Sequence, residues 1–277
     1  MSSAIDGAEI PRLASVKIAI VGVGNMGGAV LAGLAGAGEH EVRAGVRRPE
    51  HGEALAEQYG VVHGPGVEIV PGADVVILGV KPYDIVSVAA GLPLTSGQLL
   101  ISLAAGITVA HLEAAVPEGV GVVRVLPNTP ALIGEGISIL SPGESATPEQ
   151  VRAAEQVMGA VGATVTVPEK QLDAATALSG SGPAYVFYIA ESLIEAGVHL
   201  GLPRAVARQL VDQTLVGSGR LLQQSGEHPA VLREQVTSPG GTTAAALAVF
   251  EAAAMRGTFL EAARANRDRS REIAAEG

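Results

Sequence analysis

The sequence predicts an α/β chain: a Rossmann-type parallel sheet over residues 16–168, then an all-helical domain over residues 169–277. Three observations predict it. Short apolar runs alternate with helical stretches through the first half, and strands separated by helices build parallel sheets. A Gly-x-Gly-x-x-Gly run follows the first of those strands directly. From about Glu169 the texture changes to long Ala- and Leu-rich stretches of helical period.

Val16-Lys-Ile-Ala-Ile-Val21 is apolar on both faces, as a central parallel strand should be. A helix is expected from about Asn25 to Ala37, a strand over Glu41 to Val46 and a helix over Pro49 to Tyr59. Val61-Val62-His63 reads as a short, weak strand. Asp74 to Val80, Gln98 to Leu103 and Gly121 to Leu126 read as strands, with a short helix beginning over His111 to Ala115. Gly136 to Leu140 and Ala163 to Val167 are strand-like, flank a helix near Pro148 to Gly159, and are candidates to extend the sheet edge.

In the second half, helices are expected over Pro183 to His199, Pro203 to Gln224, Pro229 to Val236 and Thr242 to about Ile273. Pro183, Pro203 and Pro229 each sit where a first helical turn tolerates a missing N–H. These helices are apolar over wide faces, as in Ala184, Val186, Phe187, Ile189, Ala190 and Leu193. Helices apolar all round are buried on more than one side, so a small domain of them points to an obligate dimer.

Composition narrows the function. Of 277 residues, 48% are hydrophobic and 17% charged, which excludes a disordered chain. The net charge of −10 argues against a nucleic-acid groove, which needs clustered Lys and Arg. Zero Cys excludes disulfides, thiolate metal sites and a Cys nucleophile, and fits a reducing cytoplasm. The histidines lack ligand spacing, so no metal is expected. Residues 1–15 read as a loose leader, without the apolar core of a signal peptide. The uncharged run Ile18 to Gly38 is long enough for a membrane span. Its seven glycines, Asn25 and a change of period make it strand, turn and helix instead, and no membrane partner is expected.

The glycine run is Gly22-Val-Gly24-Asn25-Met26-Gly27. In a dinucleotide cradle the first Gly permits the tight turn, the second lets backbone approach the pyrophosphate, and the third lets helix and strand pack closely. The phosphates rest on the helix N-terminus, where open N–H groups and the dipole favour anions. The other reading is a glycine-eased packing corner. An NAD enzyme usually places Asp or Glu at the end of the second strand. Here that region reads Ala44-Gly45-Val46-Arg47-Arg48, which favours the 2′-phosphate of NADPH, with NADH as the alternative coenzyme. Read as surface residues, the two arginines are simply a solvated pair.

Other strand ends should face the same crevice. They carry Val80-Lys81-Pro82, Ala104-Ala105-Gly106 and Arg124-Val-Leu-Pro127-Asn128-Thr129-Pro130. Lys81 is either a phosphate or catalytic lysine or a strand-end cap. Asn128, held between prolines, is a candidate polar contact near the nicotinamide.

In the helical half, Ser179-Gly180-Ser181-Gly182-Pro183-Ala184-Tyr185 and Thr237-Ser238-Pro239-Gly240-Gly241-Thr242-Thr243 each feed a helix. Both put open N–H groups and small hydroxyls at a helix N-terminus, a carboxylate-binding arrangement. The alternative is ordinary N-capping by Ser or Thr.

With these motifs the sequence resembles the pyrroline-5-carboxylate reductases over about residues 16–275. The resemblance rests on residues 22–27, 80–82, 124–130, 178–185, Gly-Leu-Pro-Arg at 201–204, and 237–243. It implies a Rossmann domain followed by a helical dimerisation domain, and reduction of a cyclic imine, (S)-1-pyrroline-5-carboxylate, to L-proline with NADPH or NADH. By the same resemblance Thr243 would hydrogen-bond the ring nitrogen. Gly240, Gly241 and Thr242 would hold the carboxylate, with Ser181 and Glu169 nearby and the partner subunit completing the pocket. A dimer, or a ring of dimers, is the implied assembly.

No His or Lys within these motifs is placed to donate a proton, so orientation of substrate against cofactor is the expected source of rate. Two rivals differ in class. A 3-hydroxyacid dehydrogenase looks to a lysine in its helical half, and none occurs from Gln171 to Gly277. A non-catalytic NADP-sensing scaffold would bind the dinucleotide and reduce nothing.

Overall fold

The computed structural model describes residues 15–276, so all but the last residue of the expected leader lies outside the described chain. Among the described residues eight strands form one sheet. They are β1 (Lys17–Val21), β2 (Glu41–Gly45), β3 (Val62–Gly64), β4 (Val75–Leu78), β5 (Leu99–Ser102), β6 (Gly121–Pro127), β7 (Gly136–Pro142) and β8 (Gly162–Thr166). Their order is β3-β2-β1-β4-β5-β6-β7-β8. The first six are mutually parallel, with helical crossovers between them. β7 runs antiparallel to β6, because a short turn at Thr129–Ile133, ended by Gly134 at φ 74°, joins the two. A parallel neighbour would need a longer crossover. The helix Pro148–Gly159 supplies one, and β8 returns parallel to β7. The two strand-like runs therefore do extend the sheet edge.

β1, β4 and β5 are apolar at nearly every position because both faces are covered. Successive residues of a strand point to opposite faces. Ile18, Ile20, Ile77, Ile101 and Val123 pack with Val30, Leu31 and Leu34 of the helix Asn25–Ala37. Ala19, Val76, Leu78, Leu100 and Val122 pack with Ile85 and Ala89 of the helix Pro82–Gly91. Fully burying each Val, Leu or Ile contributes about 1.5–3 kcal/mol. That helix was not expected from the sequence: Ile85, Val86 and Val88 are β-branched and obscure its period. The chain order reverses at β1, which has β2 on one side and β4 on the other, so the crevice beyond their carboxyl ends is the switch point where ligands bind.

Contact density divides the chain into two units. One runs through Gly180 and takes back the chain from Asp268; the other is Ser181–Arg267. In the first, the helix Leu172–Ser179 lies on the sheet, with Leu172 buried against Leu126 and Ile139. Asp173 accepts a hydrogen bond from Ser270 Oγ at 2.8 Å, which ties the last helix back to this unit.

The second unit contains the helices Gly182–His199, Arg204–Ser225, Pro229–Gln235, Thr242–Ala252 and the start of Met255–Glu276. One helix was expected from Thr242 to about Ile273; the structure breaks it into two that bend by 51°. Ala254 adopts φ 52° at the break, and Arg256 Nη2 reaches back to Glu251 at 2.6 Å. Alanine is the best helix former, so nothing local in the sequence marks this break.

Gly182–His199 and Arg204–Ser225 approach closely where a Cβ on Gly197 would lie 2.9 Å from the Ala207 methyl. Arg204 donates to Glu195 at 2.6 Å near the turn between them and holds that carboxyl below its usual range. Ala207 is nonetheless the one residue buried along these helices, while Phe187 is 66%, Leu210 55% and Val249 66% exposed. A unit with so little core of its own leaves a surface that a partner must cover.

Candidate active site

The chain leaves β1 through Gly22 at φ 91°, a left-handed conformation that favours glycine. A Cβ on Gly22 would lie 2.6 Å from Val80 Cγ1 and 2.7 Å from the Val80 nitrogen. A Cβ on Gly27 would collide with the Gly22 carbonyl oxygen, so this residue serves helix–strand packing. Around Gly24, by contrast, a Cβ would meet nothing within 4 Å. Gly24 is also the N-cap of the helix Asn25–Ala37 and supplies no side-chain cap, which leaves the first N–H groups open. The three glycines thus divide into two that pack against protein and one that faces open space.

That space is a cleft of about 720 Å³ over the carboxyl ends of β1, β2 and β4. Of the residues singled out in the sequence, Gly22, Gly24, Asn25, Met26, Arg47, Arg48, Val80, Lys81, Pro82 and Ala105 line it. His51 lines it too and was missed; it stands one helical turn beyond Arg48, a spacing that shares a face. Arg47 and Arg48 are exposed and make no ion pair with any described residue, so their charge is available to a ligand. Lys81 lines the cleft and is exposed, at the N-cap of the helix Pro82–Gly91 and three residues beyond the end of β4. No carboxylate closes β2. An open glycine cradle beside two free guanidiniums fits a dinucleotide carrying a 2′-phosphate.

Three of the expected cofactor residues lie off the cleft lining. Gly27 packs against Gly22, and Gly106, at φ 80°, turns the chain beyond β5. Asn128 is buried, and its amide is engaged at both ends. It donates to Ser179 O at 3.1 Å and accepts from Ile137 N at 2.9 Å. Its side chain bridges the turn after β6 to β7 and to the end of the helix Leu172–Ser179.

The Pro-Gly-Gly bend has Gly240 at φ 69° and Gly241 as N-cap of the helix Thr242–Ala252. No hydroxyl caps that helix, so Thr242 and Thr243 keep theirs and the first-turn N–H groups stay open. Thr243 is half-buried and Thr242 exposed. Ser181 is likewise an N-cap without a capping bond. Its Oγ accepts from Asn266 Nδ2 at 2.8 Å, leaving its own proton to donate; Asn266 carried no signal in the sequence. The Tyr185 hydroxyl is buried and has no partner among the described residues. Glu169 stands in a short turn after β8, and its Oε1 accepts from Val109 N at 2.8 Å and from Arg124 Nη1 at 3.1 Å.

Among the described residues no cluster of three or more acidic or histidine side chains could hold a metal. No single described helix is long and apolar enough to cross a membrane. The uncharged stretch from Ile18 is β1, the glycine turn and a helix, as its changing period indicates.

A phosphate cradle at the switch point of a Rossmann sheet, carried on one chain with a helical unit lacking its own core, defines an NADP-linked oxidoreductase. Two family models match the chain: NADP oxidoreductase, coenzyme F420-dependent, over residues 17–106, and pyrroline-5-carboxylate reductase dimerisation over 169–273. The pyrroline-5-carboxylate reductase of Corynebacterium melassecola is 40% identical over 264 residues, covering 92% of this chain and 98% of its own. That of Arabidopsis thaliana is 38% identical over 94% of this chain and 96% of its own. A solved pyrroline-5-carboxylate reductase from Coxiella burnetii superposes with a TM-score of 0.90 at 35% identity, over 94% of this chain and 98% of its own. That of Plasmodium falciparum, solved with NADP bound, superposes with a TM-score of 0.81 at 30% identity, over 95% and 100%. The chain belongs to the pyrroline-5-carboxylate reductase family.

Proposed function

We infer that this chain reduces (S)-1-pyrroline-5-carboxylate to L-proline with NADPH, the last step of proline biosynthesis. Its relation to reductases of that name over more than nine-tenths of its length carries the reading. The substrate is a cyclic imine bearing a carboxylate. When bound, the reduced nicotinamide supplies the hydride that the imine carbon accepts. The chain's own residues bind and orient. Gly22, Gly24, Asn25 and Met26 cradle the pyrophosphate, and Arg47 and Arg48 take the 2′-phosphate, which sets NADPH before NADH. Gly240 and Gly241 shape the bend, the Gly241 N–H being held by Ser238 O at 3.0 Å, and the open first-turn N–H groups of Thr242 and Thr243 hold the carboxylate, joined by the Ser181 hydroxyl. Thr243 meets the ring nitrogen, and Glu169 faces the positive charge of the iminium, the form that accepts hydride readily. Holding the two reactants in one geometry is worth a large part of the barrier, up to about 7–11 kcal/mol for a well-oriented pair.

Dimerisation through the exposed helical faces completes the unit, with the partner subunit contributing to the substrate pocket; dimers closing into a ring is the larger assembly we propose. We propose a cytoplasmic location, with which a cysteine-free chain is compatible. The deciding experiment follows nicotinamide absorbance with purified protein, NADPH, and the cyclic imine present or omitted, and repeats it with NADH. Oxidation that depends on the imine supports the assignment. NADPH binding without imine-dependent oxidation would instead favour the non-catalytic sensor.

A further inference from the structure

We propose that Arg124 is a positioning residue for this reaction, acting through Glu169. Arg124 lies within β6, between β5 and β7, opposite Ser102 on one side and Ser141 on the other. Its side chain is 9% exposed. A buried guanidinium is costly unless paired, and among the described residues Glu169 is the one carboxylate paired with it. Its Nε is buried and has no partner among the described residues, so the guanidinium's hydrogen bonding is directed to Glu169 through Nη1.

The geometry at Glu169 is one-sided. Arg124 Nη1 and Val109 N both donate to Oε1, and no described residue donates to Oε2. A carboxylate bound at one oxygen cannot turn freely, and the other oxygen keeps its acceptor capacity for a ligand. Val109 opens the helix Val109–Glu113, at the end of the segment that begins at Leu103 to Ala105 in the cofactor cleft. The ion pair therefore orients a half-exposed anion and ties it to the wall of that cleft. An oriented carboxylate is what a cationic ring nitrogen would select, whereas a freely rotating one would share its hydration with solvent. Arg124 itself moves no proton. This rests on the proposed placement of Glu169 in the substrate site.

The test uses the full chain and the variants Arg124→Met, Arg124→Lys, Glu169→Gln and the double variant R124M/E169Q. Imine reduction is measured in each, with NADPH affinity measured separately by fluorescence titration. The expected result is a fall of about tenfold or more in kcat/KM for the imine in Arg124→Met and in Glu169→Gln. The double variant should lie within about twofold of Glu169→Gln, since residues acting as one unit are not additive. Arg124→Lys should recover about threefold or more over Arg124→Met, and NADPH affinity should stay within about twofold throughout. Losses that multiply in the double variant would overturn the proposal, as would NADPH affinity falling in step with turnover. Wild-type reduction by Glu169→Gln would overturn it by removing Glu169 from the site. No reduction by the wild-type chain would overturn the functional reading first and this one with it. If Arg124→Met does not fold, the cycle is run with Arg124→Lys, and additivity with Glu169→Gln again refutes the idea.

Discussion

Gly24→Ala separates a phosphate cradle from a packing corner. Gly24 has φ −88° and ψ −157°, extended backbone that alanine adopts readily, and its Cβ would meet no atom within 4 Å. The fold should therefore lose nothing, and restricting the unfolded chain adds about 0.4–1 kcal/mol. The methyl would instead fill the space through which the pyrophosphate reaches the helix N-terminus. Hydrogen bonds to a charged group contribute about 1.5–3 kcal/mol, so losing one such contact weakens binding by about 10- to 150-fold. NADPH affinity by fluorescence titration and melting temperature by circular dichroism are the two readouts. Gly27→Ala is the counterpart. Its Cβ would press on the Gly22 carbonyl, so it should cost about 1–3 kcal/mol of stability. At about 2–4 °C per kcal/mol for a chain near this size, the melting temperature should drop visibly. Wild-type NADPH affinity in Gly24→Ala would refute the cradle.

Thr243→Ala should lower turnover about tenfold or more with NADPH affinity unchanged, since one substrate hydrogen bond is lost and the cofactor cleft is untouched; unchanged kinetics would remove Thr243 from this role. Replacing Arg47 and Arg48 together by Ala should weaken NADPH by about tenfold to a hundredfold and leave NADH almost unaffected, because only the 2′-phosphate is lost as a partner. Equal losses for both coenzymes would assign the arginines to the shared pyrophosphate instead. Phe187→Asp places a charge on an exposed apolar helix and should shift the sedimentation equilibrium towards monomer; an unaltered association constant would move the interface elsewhere.

Much of the nucleotide site was legible in the linear chain, because it is built from consecutive residues. A strand apolar on both faces, a glycine turn and a helix announce themselves within Lys17 to Ala37, and the two arginines that stand where an acid would bind ribose line the same cleft. The helices of the second half were legible from their prolines and their period, and so was their excess of apolar surface, which the structure leaves exposed. What escaped depended on residues far apart in sequence. Asn128 looked like a ligand for the nicotinamide, yet its amide is claimed by Ile137 and Ser179. Glu169 acquires its orientation from Arg124, 45 positions away, and Ser181 its partner from Asn266, 85 positions away. The helix Pro82–Gly91 hid behind β-branched residues, and the break at Ala254 sits in an alanine run that favours helix. Local backbone chemistry repeats with short periods and can be read from neighbours. The direction in which a buried polar group is held depends on which distant donors folding brings to it, and only the tertiary structure decides that.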